Sequence, residues 1–172
     1  IINKLNADAT FSYELISGLQ IKANLGYSSN SLNQFQASPK TYFDPAKTSS
    51  LSTSSSASTN ANTWIVEPQL SYDKKLFGGN LNVLVATSFQ QQSQTGSAVK
   101  GTGFSNDALL QNIAAASTVT FLGHTYSLYK YASALARIGY TWGNKYSINI
   151  TGRRDGSSRF GPDRQFANFG AV

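Results

Sequence analysis

From Leu5 to Leu15 every second residue is apolar (Leu5, Ala7, Ala9, Phe11, Tyr13 and Leu15), with Asn6, Asp8, Thr10, Ser12 and Glu14 between them. A period of two is the mark of a strand with one apolar face. Ser17-Gly18 is a turn signal, and the pattern resumes with Leu19, Ile21, Ala23, Leu25 and Tyr27, so a hairpin keeps the apolar residues together. A second hairpin sets Trp64, Val66, Leu70 and Tyr72 on one face and Glu67, Gln69, Ser71 and Asp73 on the other. Its turn falls around Gly78-Gly79, and Leu81, Val83, Val85 and Phe89 continue beyond it. Pro68 removes a ladder donor and predicts a bulge or an unpaired edge. The third hairpin carries Ala132, Ala134, Ala136, Ile138, Tyr140 and Trp142, turns at Gly143-Asn144-Lys145 and returns through Tyr146, Ile148 and Ile150.

The connections alternate in length. They are short within each hairpin and long between hairpins, roughly over 28–62, 91–125 and 155–166. The first long connection holds a Ser/Thr run from Thr48 to Thr59, too polar to pack and expected to be mobile. The second holds Phe104 to Ala114, read as a short helix capped by Ser105 or Asn106. Compact soluble domains seldom carry structureless loops beyond about 12–15 residues, whereas outer-membrane barrels pair short periplasmic turns with long outer loops.

Composition agrees with that reading. Charged residues are 13% of the 172 positions, about half the roughly 25% of ordinary globular chains. Those inside the assigned strands (Asp8, Glu14, Lys22, Glu67, Asp73, Arg137 and Arg153) all fall on the polar face. A Lys or Arg facing lipid costs about 2–4 kcal/mol at the bilayer midplane, which supplies a cause for the exclusion. Apolar-face aromatics gather at strand ends, Tyr13, Tyr72, Tyr140, Trp142 and Tyr146 beside the turns and Tyr27, Trp64, Phe89 and Tyr126 beside the long connections. Two aromatic girdles are the expected result. About six or seven strands fall short of the eight that the smallest membrane barrel needs, so the chain reads as part of a larger antiparallel up-and-down barrel. Residues 1–172 are then all barrel, with no plug domain among them.

Other chemistry is sparse. No cysteine is present, which removes disulfides, thiol nucleophiles and thiolate metal sites. His124 stands alone and is read as a loop residue, and Gly101-Thr102-Gly103 lacks the context of a dinucleotide site. The net charge of +6 owes much to Arg153, Arg154, Arg159 and Arg164, so no nucleic-acid footprint is expected. Asp8, Glu14 and Glu67 are read as lumen-facing groups with Lys22, Arg137 and Arg153, not as acid–base catalysts. No catalytic, cofactor or metal residue is assigned, and an enzyme is not expected.

The segment Arg137-Ile138-Gly139-Tyr140-Thr141-Trp142-Gly143-Asn144-Lys145-Tyr146 leads into Arg153-Arg154-Asp155-Gly156-Ser157-Ser158-Arg159-Phe160-Gly161. It resembles the signature of SusC/RagA-type TonB-dependent transporters, an aromatic hairpin before an RxDGSSRFG loop. The resemblance is specific from Arg137 to Phe169. It implies a plugged barrel of about 22 strands in the outer membrane of a Bacteroidota-like Gram-negative bacterium. It further implies coupling to TonB through parts outside this chain, a SusD-like surface lipoprotein as partner, and a nutrient such as an oligosaccharide or peptide as substrate. Within the signature loop, Gly156 is expected to allow a tight turn, Ser157 and Ser158 to bond neighbouring backbone, and Asp155 to pair with Arg153 or Arg159. Arg159 and Phe160 complete the loop. A non-transporting barrel or adhesin and a soluble β-sandwich binding module are the competing readings.

Overall fold

The computed structural model describes residues 1–44, 51–143 and 145–172. Its strands are β1 (Ile2–Ile16), β2 (Leu19–Ser38), β3 (Thr53–Leu76), β4 (Gly79–Phe104), β5 (Ala116–Trp142), β6 (Tyr146–Ser157) and β7 (Phe166–Ala171). They form one unclosed 7-stranded sheet in the order β1-β2-β3-β4-β5-β6-β7, each strand beside its sequence neighbours. This is the antiparallel up-and-down arrangement, and it is part of a barrel. A sandwich would need two sheets facing each other across a shared core.

By its internal contacts the chain forms two compact units, one of Ile1–Lys4, Ser29–Ala61 and Ser93–Ser127, the other of Leu5–Ser28, Asn62–Gln92 and Leu128–Val172. The second unit holds the three hairpins. In the β5–β6 pair Trp142 faces Tyr146, Tyr140 faces Ile148 and Ile138 faces Ile150, while Arg137 faces Thr151. Side-chain bonds from Ser28 to Asn6 (2.8 Å) and from Thr10 to Asn24 (3.1 Å) show the polar residues of β1 and β2 sharing a face. On the other face Leu5, Phe11, Ile138 and Ile150 are each more than half exposed. Among the described residues the only buried hydrophobic side chains are Phe104 and Leu110, both in the first unit. A soluble domain of this length buries a core. Here the apolar face is left bare.

Backbone contacts lock the turn ends of neighbouring hairpins. The Asp73 N–H donates to Gly18 O (2.8 Å), and Gly18 takes φ +85 where a Cβ would lie 2.1 Å from Asp73 O. The β3–β4 turn is Phe77-Gly78, both at positive φ, one residue earlier than the glycine pair suggested. The Tyr140 hydroxyl donates to Leu76 O at 2.9 Å, and its ring occupies space that a side chain at position 79 would need. β3 runs through Pro68 as one continuous strand.

In the first unit the structure corrects two expectations. The Ser/Thr run is strand from Thr53 onward, and Ser52 and Ser54 are buried, while Thr48, Ser49 and Ser50 lie outside the described residues. Ser52 Oγ accepts the Phe104 N–H (3.1 Å) and its carbonyl accepts the Gly103 N–H (2.9 Å), so ladder pairing orders a segment whose side chains offer no apolar face. The expected helix over 104–114 is replaced by 3₁₀ turns at Asp107–Leu109 and Ile113–Ala115. Asn106 does cap the first turn, accepting from the Ala108 N–H at 3.0 Å. The two connections meet where the Lys40 N–H donates to Asp107 Oδ1 (3.1 Å). His124 lies within β5, not in a loop.

Candidate functional site

Alternation along seven strands collects the polar chemistry on one face. Glu67 Oε1 accepts from the Ser88 hydroxyl (3.1 Å) across β3 and β4. Nearer the turns, Asp73 accepts from the Asn82 amide, and Asn82 Oδ1 accepts from Arg137 Nη2 (3.1 Å), a relay across β3, β4 and β5. Arg153 donates from Nε to Asp155 Oδ1 (2.7 Å) and from Nη2 to the Tyr131 oxygen (2.8 Å), while the Tyr131 hydroxyl donates to Asp155 Oδ1 (3.1 Å). Each member of this triangle fixes the other two. The positions follow from register: Leu135 faces Arg153 and Ser133 faces Asp155, so Arg153 and Asp155 stand on the same side as Tyr131.

A groove of about 310 Å³ opens along this face, with Glu67, Ser88, Tyr131, Ser133 and Arg153 among its lining residues. Of the sequence-derived candidates the structure brings Glu67 and Arg153 together there. Asp8 lies instead beside Gly26 and Ile65, and Glu14 accepts the Gly18 N–H (3.1 Å), which ties it to its own turn. Lys22 stands on β2 and Arg137 in the relay near the β3–β4 turn. Tyr131 and Ser88 escaped the sequence reading. Tyr131 shares the parity of Ser133 and Arg137, the one signal that could have placed it on the polar side.

The groove offers an anion, a cation and two hydroxyls to a polar solute, and nothing in it makes a nucleophile–base pair. No group of His, Asp or Glu that could hold a metal occurs among the described residues.

The signature segment is only half a loop. β6 continues to Ser157, so Arg153 to Ser157 are strand. Asp155 pairs with Arg153, and Arg159 instead lies over the Tyr129 ring at 4.4 Å. Ser157 Oγ accepts the Arg159 N–H (3.3 Å) and Ser158 Oγ the Lys130 N–H (2.8 Å), so both serines bond backbone. Gly156 makes no turn. It is buried in the strand opposite Phe166, whose ring would lie 2.6 Å from a Cβ there. Phe160 is exposed in the turn that follows.

The extra length of β6 also corrects the charge map. Arg154 faces Ala134 and Asn168, which places it on the apolar side, with its guanidinium 4.9 Å from the Phe166 ring centre. Alternation puts Lys74 on that side too, near the β3–β4 turn. The apolar face excludes carboxylates; it does not exclude every charge.

One unclosed antiparallel sheet, apolar and bare on one side and charged on the other, defines a segment of a membrane-type β-barrel. Its solved likeness is the barrel of the RagAB peptide transporter, with a TM-score of 0.88 and 20% identity over 98% of this chain and 19% of that one. The "closed-closed" RagAB peptide importer gives 0.85 over the same shares. The unliganded ferric citrate transporter FecA gives 0.58 at 10% identity over 97% of this chain and 23% of that one. In sequence the chain is 28% identical over 163 residues to TonB-dependent receptor P3 of Formosa agariphila, 92% of this chain and 16% of that protein. TonB-dependent receptor P39 of the same organism is 54% identical over 41 residues, 24% of this chain and 4% of that protein. No family model matches. The chain is thus a barrel segment of the SusC/RagA TonB-dependent kind, and it spans under a fifth of the length of the relative that it matches most fully.

Proposed function

We propose that the chain forms part of the barrel wall of an energy-coupled outer-membrane importer of nutrients, with all of residues 1–172 belonging to the barrel domain. The observation that carries this is the division of faces: apolar side chains bare on one side, and a groove holding Glu67, Tyr131 and Arg153 on the other. The bare side meets lipid, and the groove, with Asp8, Glu14, Lys22 and Arg137 on the same face, lines the lumen. The P3 likeness supports TonB coupling, and the RagAB likeness supports a SusD-like surface partner and an oligosaccharide or peptide cargo. The chain works by binding and passage, without chemical conversion.

The test uses the full-length protein. It should fractionate with the outer membrane, and uptake of its nutrient should stop when TonB is deleted. A thiol placed by Gly161→Cys, between β6 and β7, should react with an impermeant maleimide on intact cells, whereas one at Lys145→Cys should react only after the outer membrane is opened. Uptake unaffected by loss of TonB would refute energy coupling, and the reverse labelling would invert the orientation.

A further inference from the structure

The apolar face carries its charges at particular places, and those charges are cations. Lys130 stands on β5 with its backbone bonded to Ser158 (Ser158 N–H to Lys130 O, 2.9 Å), and Arg154 stands on β6 opposite Ala134. Both side chains are exposed. Between their levels Ala132 faces Gly156, the two smallest kinds of side chain, flanked by the half-exposed rings of Trp64, Phe89 and Phe166. The result is a groove of about 450 Å³, lined by Trp64, Phe89, Lys130, Ala132, Gly156 and Phe166. It lies on the opposite face from the Glu67–Arg153 groove, and the importer reading makes that face the lipid side.

We infer that this groove holds an anionic phospholipid, with an acyl chain over Ala132 and Gly156 and the phosphate between Lys130 and Arg154. The argument rests on the proposed membrane setting. From Tyr146 to Arg154 the strand rises roughly 26 Å, or roughly 20 Å along the membrane normal at a tilt of about 40°, inside an apolar band about 25 Å tall. Arg154 therefore lies just below the outer headgroups, where an unpaired guanidinium is poorly solvated. Stacking on Phe166, which faces Gly156, draws its head toward the level of Lys130. A guanidinium and an ammonium with no carboxylate on their face fit a phosphate, which the Arg fork grips through paired N–H donors. A slot bounded by rings and floored by Ala and Gly fits a methylene chain. A protein partner would have to match the same slot with a rigid side chain and supply its own anion. A phospholipid brings both and is already in place.

The full-length protein should be purified, its barrel assembly read by the heat-dependent shift on gels, and lipid retention measured by native mass spectrometry with phosphatidylglycerol and phosphatidylcholine. The wild type should retain phosphatidylglycerol about thirtyfold more strongly, from two basic residues at an anionic surface. The pair K130Q/R154Q should abolish that preference while leaving phosphatidylcholine retention and barrel assembly unchanged, and Ala132→Phe, which fills the slot, should weaken retention of both lipids. An assembled wild-type barrel with no headgroup preference, or a preference that survives K130Q/R154Q, overturns the lipid site and leaves the importer reading standing. A protein that never assembles as a barrel overturns both.

Discussion

Ile138 is the position at which the division of faces can be tested most directly. It lies on β5 opposite Ile150, and both side chains are just over half exposed on the apolar face. From Trp142, at the turn end, Ile138 is roughly 13 Å along the strand and roughly 10 Å along the membrane normal, close to the middle of the apolar band. Ile138→Arg therefore puts a guanidinium near the midplane, at an expected cost of about 2–4 kcal/mol to barrel stability. The matched perturbation is Thr151→Glu. Thr151 faces Arg137 one position along the same strand pair, so its side chain projects from the other face toward an existing cation. An exposed pair of that kind changes stability by about 0–1 kcal/mol. Thr141→Arg, also on the polar side where its hydroxyl meets Ser147 Oγ at 3.3 Å, should be similarly mild.

The assay is urea unfolding of the full-length barrel in lipid vesicles, with the shift between folded and unfolded bands as readout. Ile138→Arg should lose about 2 kcal/mol or more relative to Thr151→Glu. Equal losses in the two variants would mean that both faces meet water, and the membrane reading would fall with them. A larger loss for Thr151→Glu would mean that the faces are exchanged.

Three further outcomes follow from particular contacts. Gly18→Ala should destabilise the barrel by about 2–4 kcal/mol, because it adds a left-handed penalty to a clash with the Asp73 carbonyl, which is backbone and cannot step aside; a change under ~0.5 kcal/mol in urea melts would contradict the turn geometry. Gly156→Ala should displace the Phe166 ring and cost about 1–2 kcal/mol in the wild type but much less in a Phe166→Ala background, and an additive double-mutant cycle would show that the ring does not sit on Gly156. Residues 1–172 expressed alone leave β1 and β7 as bare edges beside an uncovered apolar face, so they should aggregate in buffer; a cooperatively melting monomer without detergent would refute the barrel segment.

The three hairpins were legible because each crosses a boundary between two solvents. Where one face is apolar and the other wet, the pleat writes a period of two, as at Leu5 to Leu15 and Ala132 to Trp142. Beyond those stretches the strands go on, β2 to Ser38, β3 back to Thr53, β4 to Phe104 and β5 back to Ala116, with no such period. Ser, Thr, Asn and Gln serve either face in water, so nothing in their order separates strand from loop, and the pairing of Ser52 with Phe104 is a backbone fact. The 104–114 segment misled for a related reason. Asn106 is a true cap, but a cap only starts a turn. Without an apolar stripe to bury, the chain makes isolated 3₁₀ turns.

The signature segment was legible as a pattern but not as a structure, and its alternation explains both. Read as a loop, Arg153 to Ser158 is one cluster of charge and hydroxyl. Read as a strand, it is two interleaved sets. Arg153 and Asp155 turn to the polar side, where they hold Tyr131 beside Glu67 and Ser88. Arg154 and Gly156 turn to the apolar side, where one stacks on the Phe166 ring and the other makes room for it. A strand between two environments must satisfy both at single-residue spacing, so little in such a segment is free to vary. Shifting it by one residue would carry Arg154 to the groove and the Arg153–Asp155 pair to the bare face, and Gly156 would no longer lie under the ring. The motif is specific because each parity answers to a different solvent. Substitutions at 153 and 155 should therefore act on what passes along the polar groove, and those at 154 and 156 on how the wall sits in its surroundings.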